Sequence, residues 1–339
     1  MRDILVIRFG ALGDLCVLGW ALSRLADSCA PGTCRITLVT KAAFAPLMAR
    51  MHGVDEVIAL DGADISAVWR LSRQLKSRPW DVMVDAHNIL RSRLLFAMLG
   101  RRPDARLAKD TAARLRFMAL GHKNPRLDQR MVDRFDDLMA AVAPGHLARA
   151  ATAPLGHLRQ SASETERPIL GVAPGAQWDT KRWPEEHFAD LVQMFRSQTD
   201  GAVQIFLGPR EQGWYANSAL ARAVAADDQV QIVQVPQLPD VARRLAAVDL
   251  LVTNDSGLLH LAENTGTPVL AFFGPTVREF GYFPLQEGSR VLETELSCRP
   301  CSRNGKRPCH RQDLACLAPI APATALAEVL DMLGKEATT

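Results

Sequence analysis

Residues 248–260 read Val248-Asp249-Leu250-Leu251-Val252-Thr253-Asn254-Asp255-Ser256-Gly257-Leu258-Leu259-His260. The apolar run Val248 to Val252 has the length and composition of a buried strand. Leu261-Ala262-Glu263-Asn264 then reads as one or two helical turns. Asp255 therefore stands where a strand hands over to a helix, the edge at which open α/β sheets bind ligands. Ser256 and Gly257 open that helix, and the first amides of a helix have no intrahelical acceptor, so they suit an anion. His260 follows Ser256 by four residues, which can bring both to one side of the turn. A carboxylate for hydroxyls, amides for phosphate and an imidazole suit a phosphorylated polyhydroxy ligand such as a nucleotide sugar. The same residues also suit a capped strand–helix junction with a buried polar network.

Working outward, strand and helix patterns alternate through most of the chain, which argues for an α/β fold with parallel sheets. Ile4 to Ile7, Arg35 to Val39, Val54 to Leu60 and Val82 to Asp85 are expected strands. Leu15 to Ala26, Ile65 to Lys76 and Ile89 to Leu99 are expected helices. From Pro154 to Arg167 the chain turns polar and loses periodicity, the mark of a linker. The alternation then restarts at Ile169 to Val172, with a helix from Glu185 to Arg196 preceded by Pro184. Further strands are expected at Val203 to Leu207, Gln231 to Val235, Leu250 to Thr253 and Val269 to Phe273, and a closing helix at Pro322 to Leu333. Two doubly wound, Rossmann-like halves with a cleft between them are implied. The expected division is a first domain over 1–155, a linker over 156–167, a second domain over 168–320 and a C-terminal helix and tail over 321–339.

Composition narrows the class. With 339 residues the chain suits about two domains. A formal net charge of +3 is too small to imply nucleic-acid binding by itself. Arg8, Gly10, Gly13 and Asp14 interrupt the N-terminus before a secretory apolar core forms, and no stretch of about 18 apolar residues occurs. A cytoplasmic location is expected, in which seven cysteines serve as thiols or metal ligands rather than disulfides.

Three further loops carry candidate chemistry. Arg8-Phe9-Gly10-Ala11-Leu12-Gly13-Asp14 follows the first strand. Its glycines do not match a dinucleotide fingerprint or a lysine-bearing phosphate loop, which disfavours a nicotinamide dehydrogenase. Asp14 reads either as an acid in the first turn of a helix or as a carboxylate able to take a proton from a hydroxyl. Pro174-Gly175-Ala176 leads to Lys181-Arg182-Trp183-Pro184, with two cations placed just before a helix. That position disfavours helix stability and favours phosphate binding. Glu211, after Gly208-Pro209-Arg210, is either a ribose acceptor of hydrogen bonds or a surface carboxylate.

Four motifs together resemble glycosyltransferase family 9, the ADP-heptose:lipopolysaccharide heptosyltransferases. They are Gly10 to Asp14, Asp85-Ala86-His87 with Arg91-Ser92, Pro174 to Ala176 with Lys181 to Pro184, and Asn254 to Gly257 with His260-Leu261. The resemblance implies a GT-B fold and inverting, metal-independent transfer of heptose from ADP-heptose to an inner-core acceptor, Kdo-lipid A or a heptosylated core. It implies Asp14 as general base, Lys181 on the phosphates, Asp255 on donor-sugar hydroxyls, and Ser256, Gly257 and His260 around the pyrophosphate. Glu211 falls near the family's ribose-contacting glutamate, and Gly13, Asp85, His87, Arg91 and Ser92 lie on the acceptor side. His87 stands where the family often has glutamine, and Ala176 and Gln177 where it often has threonine or serine. Another nucleotide sugar, or a protein or other glycan as acceptor, is the alternative.

Two segments remain. Arg101 to Arg126 holds eight Arg or Lys residues against two Asp. It suits a solvated face, an anionic acceptor or an anionic bilayer, and hence peripheral association with the inner membrane. Cys298-x2-Cys301-x7-Cys309-x6-Cys316 lies in a loop over 298–316 rich in Arg, Lys and Pro. That composition suits either free thiols or a small structural metal knuckle. Relatives that modify autotransporters carry four-cysteine iron, so the resemblance extends to structural zinc or iron here, with no catalytic cofactor. A nucleic-acid module built on these two segments is disfavoured by the presence of only two tyrosines, since strand binders stack bases on aromatic rings. A non-catalytic nucleotide-sugar binder is disfavoured by the presence of both Asp14 and Lys181.

Overall fold

The computed structural model describes residues 1–148, 152–159 and 167–335. They form two parallel α/β units. The first contains β1 (Arg2–Ile7), α1 (Leu12–Asp27), β2 (Cys34–Lys41), α2 (Ala45–Met48), β3 (Glu56–Leu60), α3 (Ile65–Lys76), β4 (Val82–Asp85), α4 (Leu90–Leu99) and β5 (Ala105–Arg106). Next come α5 (Thr111–Leu120) and α6 (Met131–Ala140). The sheet order is β3-β2-β1-β4-β5, with every pairing parallel. The central strands are buried on both faces, which is why Ile4 to Ile7 and Val82 to Val84 read as unbroken apolar runs rather than alternating ones.

The second unit contains β6 (Ile169–Ala173), α7 (Glu185–Gln198), β7 (Ala202–Phe206), α8 (Gln212–Tyr215), α9 (Ala219–Val224), β8 (Val230–Val233) and α10 (Leu238–Ala246). It continues through β9 (Leu250–Asn254), α11 (Gly257–Asn264), β10 (Val269–Phe273), β11 (Arg290–Glu293) and α12 (Pro322–Met332). Its sheet runs β11-β10-β9-β6-β7-β8, again parallel throughout. In each sheet the first strand has one neighbour that follows it directly in sequence and another reached only after several elements. That reversal, between β1 and β4 and between β6 and β9, is the topological switch point where doubly wound sheets bind ligands.

The units divide differently from the expected domains in two places. Residues 113–127 cluster with the second unit, because Phe117 and Leu127 bury against Phe280. The closing helix is not an appendage: Ala325, Leu326, Val329 and Leu330 are part of the second core, and α12 packs on α7. Most of the expected linker, 160–166, lies outside the described residues, as do 336–339 of the tail.

Trp183 pins the second unit's phosphate-loop candidate to this core. Its ring stacks on Phe272 with centroids 4.1 Å apart, and its indole N–H donates to the Ile320 carbonyl at 2.9 Å. Its backbone N–H donates to Asn254 Oδ1 at 2.9 Å, while Asn254 Nδ2 donates to the Pro174 carbonyl at 2.8 Å. Replacing Trp183 by Ala removes a fully buried side chain, so a denaturation midpoint series should report a loss of about 3–5 kcal/mol.

Candidate active site

At the first switch point the β1 loop and the β4 loop are joined. Arg8, buried at the end of β1, donates from Nη1 to the Ala86 carbonyl at 2.5 Å, and its Nη2 lies 2.8 Å from Asp14 Oδ2. The Ala11 N–H points at the same carboxylate oxygen from 3.4 Å. Asp14 thus sits in the first turn of α1, where the helix dipole favours a carboxylate. Its side chain is 22% exposed, open enough for a hydroxyl to reach it. Leu12 and Gly13 supply the turn before it.

His87 closes this site. Its Nδ1 accepts from the Phe9 N–H at 3.2 Å, which requires that nitrogen to be unprotonated. Burial, with the Arg8 charge adding, pushes its pKa down to about 4, the nearby Asp14 opposing. The folded imidazole is therefore neutral at neutral pH. Between about pH 6.5 and 4 the unfolded chain takes up this proton and the folded chain does not, so stability falls as pH falls. The cost across that window is up to ~3 kcal/mol. Urea melts at pH 7 and pH 4.5 should show a larger loss for the parent than for His87→Gln; equal losses would refute the assignment.

The other acceptor-side candidates divide. Asp85 is fully buried: Oδ1 accepts from the His87 and Asn88 amides at 3.2 and 2.7 Å, and Oδ2 pairs with Arg106 Nε at 3.1 Å. Ser92 is also fully buried, with Oγ at 3.0 Å from both the amide and the carbonyl of Ile89 at the start of α4. Both side chains bond the backbone of the loop that presents His87. Arg91 reaches across to the Ala63 carbonyl at 2.9 Å.

At the second switch point, Lys181 Nζ lies 2.5 Å from Asp255 Oδ2. Lys181 ends a short 3₁₀ turn over Asp179–Lys181 after β6, and Asp255 follows β9, the adjacent strand. Thr276 Oγ1, from the loop after β10, donates to the same Asp255 oxygen at 2.6 Å. Ser256 caps α11, its Oγ accepting from the Leu258 N–H at 3.3 Å, and Gly257 begins the helix. Arg182 is not a second phosphate cation of the kind expected. It pairs with Asp179 at 2.9 Å, donates to the Ala176 carbonyl and lies over the Trp214 ring.

Glu211 stands at the start of α8, pressed between two glycines. A Cβ on Gly175 would lie 2.6 Å from its Cγ and Oε1, and one on Gly208 2.6 Å from its Oε2. The loops after β6 and β7 thus form a cradle that only glycine leaves open. His260 departs from expectation. It is 4% exposed, with Nδ1 3.7 Å from Glu263 Oε2 and its ring beside Tyr282. Ser256 is the cap, outside the helix proper, so four-residue spacing from it does not set a shared face. Glu263 in turn accepts the amides of Leu285 and Gln286 at 2.5 and 2.9 Å, tying α11 to the loop after β10.

In the cysteine loop, burial first and then the neighbouring thiols push Cys301 up, and Cys316 up to about 11. The thiols feel one another's charge, but among the described residues no three His, Cys, Asp or Glu side chains converge as metal ligands. Within the basic segment several cations are already engaged. Arg101 and Arg106 hold Asp104 and Asp85, Arg114 donates to the Phe280 carbonyl, and Lys123 pairs with Glu279.

Residues 68–310, more than half of the chain, match the family glycosyltransferase family 9 (heptosyltransferase). The chain belongs to that family. Lipopolysaccharide heptosyltransferase 2 of Salmonella typhimurium is 26% identical over 335 residues, covering 91% of this chain and 90% of the relative. The fold superposes on Escherichia coli ADP-heptose lps heptosyltransferase II with a TM-score of 0.72, at 24% identity and 98% coverage of both chains. It also matches E. coli heptosyltransferase WaaC with ADP-2-deoxy-2-fluoro heptose, at a TM-score of 0.70, 18% identity and 97% and 99% coverage. The two parallel sheets are those of a GT-B glycosyltransferase, as expected from the sequence.

Four residues of the two candidate clusters escape sequence reading: Arg8 beside Asp14 in the first unit, and in the second Thr276 on Asp255, Glu263 on α11 and Arg299 on the Thr276 carbonyl. Arg8 alone carries a local signal, as a charge ending a buried strand.

Proposed function

We propose that this family 9 chain moves a heptose from ADP-heptose onto the inner core of lipopolysaccharide, with inversion at the anomeric carbon. The observation that carries the reading is the Lys181–Asp255–Thr276 cluster at the switch point beside the α11 start. It offers a cation and amides to a diphosphate and a carboxylate to sugar hydroxyls, with Glu211 in its glycine cradle for the ribose. The names of the relatives add the donor and the acceptor class.

Asp14 takes the proton of the acceptor hydroxyl as its oxygen bonds to the anomeric carbon. The bond from that carbon to the diphosphate oxygen breaks, and its electron pair leaves with ADP. Lys181 and the amides of Ser256 and Gly257 meet the growing negative charge in place of a metal. His87, neutral, and Arg8 set the position of the base. Initial rates of ADP, UDP and GDP release from the matching sugars, with a heptose-deficient core as acceptor, test the reading. Turnover confined to ADP-heptose is expected; preference for a UDP- or GDP-sugar overturns it.

The acceptor is anionic and membrane-borne in this proposal. Among the described residues no helix is long and apolar enough to cross a membrane. The surface offered to the inner leaflet is α5, where Leu115 and Leu120 are 53% and 63% exposed beside Arg116. Flotation with anionic vesicles should weaken as salt rises; salt-independent flotation contradicts it. The four-cysteine loop enters the proposal as a structural zinc or iron site, because four thiolates leave no open position for catalysis. An ion would have to draw the thiols together, coupling its binding to loop folding. Elemental analysis of the purified protein decides: about one ion per chain, lost in Cys298→Ser, against none.

A further inference from the structure

The loop over 298–316 does more than lie near the donor cluster. It bears on both members of the Lys181–Asp255 pair, on Lys181 by contact and on Asp255 through the turn that carries Thr276.

The first route is beneath the lysine. Gly305 adopts φ +86°, and the Lys181 stem lies across its α-carbon: an added Cβ would stand 2.8 Å from Lys181 Cγ and 3.0 Å from Cε. Thr180 Oγ1, next to Lys181, donates to the Gly305 carbonyl. Ser302, 1% exposed, fixes the turn by accepting from the Gly305 and Arg307 amides at 3.0 and 3.3 Å. Lys306 lies over the ring of Trp178, three residues before Lys181.

The second route reaches the carboxylate. Arg299 stands between Cys298 and Cys301, and its guanidinium is nearly buried. It donates to the Phe273, Gly274 and Thr276 carbonyls at 3.3, 2.5 and 3.0 Å and to the Thr294 carbonyl at 2.6 Å, and it pairs with Glu293 at 2.6 Å. A planar fork with five donors is the side chain that can hold a turn in this way. The turn it holds is the one from which Thr276 donates to Asp255.

We propose that the cysteine loop is the positioning element of the donor-diphosphate site, with Gly305 setting the height of Lys181 and Arg299 setting Asp255 through Thr276. This rests on the reading that Lys181 and Asp255 grip the donor. Misplacing a charge that stabilises the leaving diphosphate lowers kcat more than it weakens ground-state binding.

A double-mutant cycle tests it in the full-length enzyme, with kcat, donor KM and melting temperature measured together. Gly305→Ala should lower kcat by about tenfold or more against a Lys181 enzyme, and by less than about twofold when Lys181 is already Ala, because the partner it displaces is gone. Arg299→Gln should behave alike against Asp255 and Asp255→Asn. If Gly305→Ala fails to fold, Thr180→Val removes the hydrogen bond to Gly305 without adding volume, and the same non-additivity is expected. Equal losses in both backgrounds, or no loss in either, overturn the inference. Should Lys181→Ala alone leave turnover unchanged, the site reading itself fails, a result distinct from failure of the loop's role.

Discussion

Asp14→Asn should lower kcat by about 10²–10⁴-fold while donor KM stays within about twofold, since a general base acts in the transition state and not on donor binding. Asparagine keeps the shape of the side chain and can still accept from Arg8, so the β1 loop and α1 keep their geometry. What is lost is the capacity to hold a proton. The proton must otherwise pass to water at the moment the acceptor oxygen attacks. Rates measured at saturating acceptor, alongside far-UV circular dichroism, check this. Near-parental kcat in a normally folded variant would remove Asp14 from the role.

The second large effect is at Lys181. Lys181→Met keeps an unbranched stem over Gly305 and deletes the charge, so kcat should fall by about 10²–10³-fold. A stability effect accompanies it. Lys181 and Asp255 are 13% and 10% exposed, and removing one member strands the other charge. The single variant should therefore lose about 3 kcal/mol or more of unfolding free energy. Adding Asp255→Asn should restore much of that stability and none of the activity. Recovery of both, or of neither, would mean that the pair is not held by mutual attraction at a site used in turnover.

How far the sequence alone leads can be seen at these same residues. Lys181, Asp255 and Glu211 are legible because each lies in a loop that follows a strand-like run, and parallel sheets gather such loops at one edge. Thr276 is not, because nothing local marks it. Its place follows from β10 lying beside β9, and sheet order is a long-range property. His260 misleads for a different reason. Leu259, Leu261, Ala262, Glu263 and Asn264 are all buried, so α11 has no polar face from which the direction of His260 could be read. Asp85 and Ser92 belong to a motif whose work is architectural, and a motif records that residues matter without saying whether they touch a ligand. The basic segment shows the limit of charge counting. Arg106 and Arg114 are visible in the sequence, while the Asp85 carboxylate and the Phe280 carbonyl that hold them come from β4 and from the loop after β10.

The cysteine loop is the part that sequence describes least completely. Its spacing suggests an ion, and nothing in that spacing says that Gly305 and Arg299 bear on Lys181 and Asp255. The reason is again distance along the chain: Thr180, the neighbour of Lys181, and Gly305 lie 125 residues apart and meet only because both follow strands of one sheet.

The central claim is inverting transfer of heptose from ADP-heptose. It is tested most directly by incubating the enzyme with ADP-heptose and a heptose-deficient core, then analysing the product by mass and by NMR at the new anomeric carbon. The expected result is a gain of one heptose, one ADP released per linkage formed, and the anomeric configuration opposite to that of the donor. Retention of configuration, or ADP release with no sugar on the core, would contradict it.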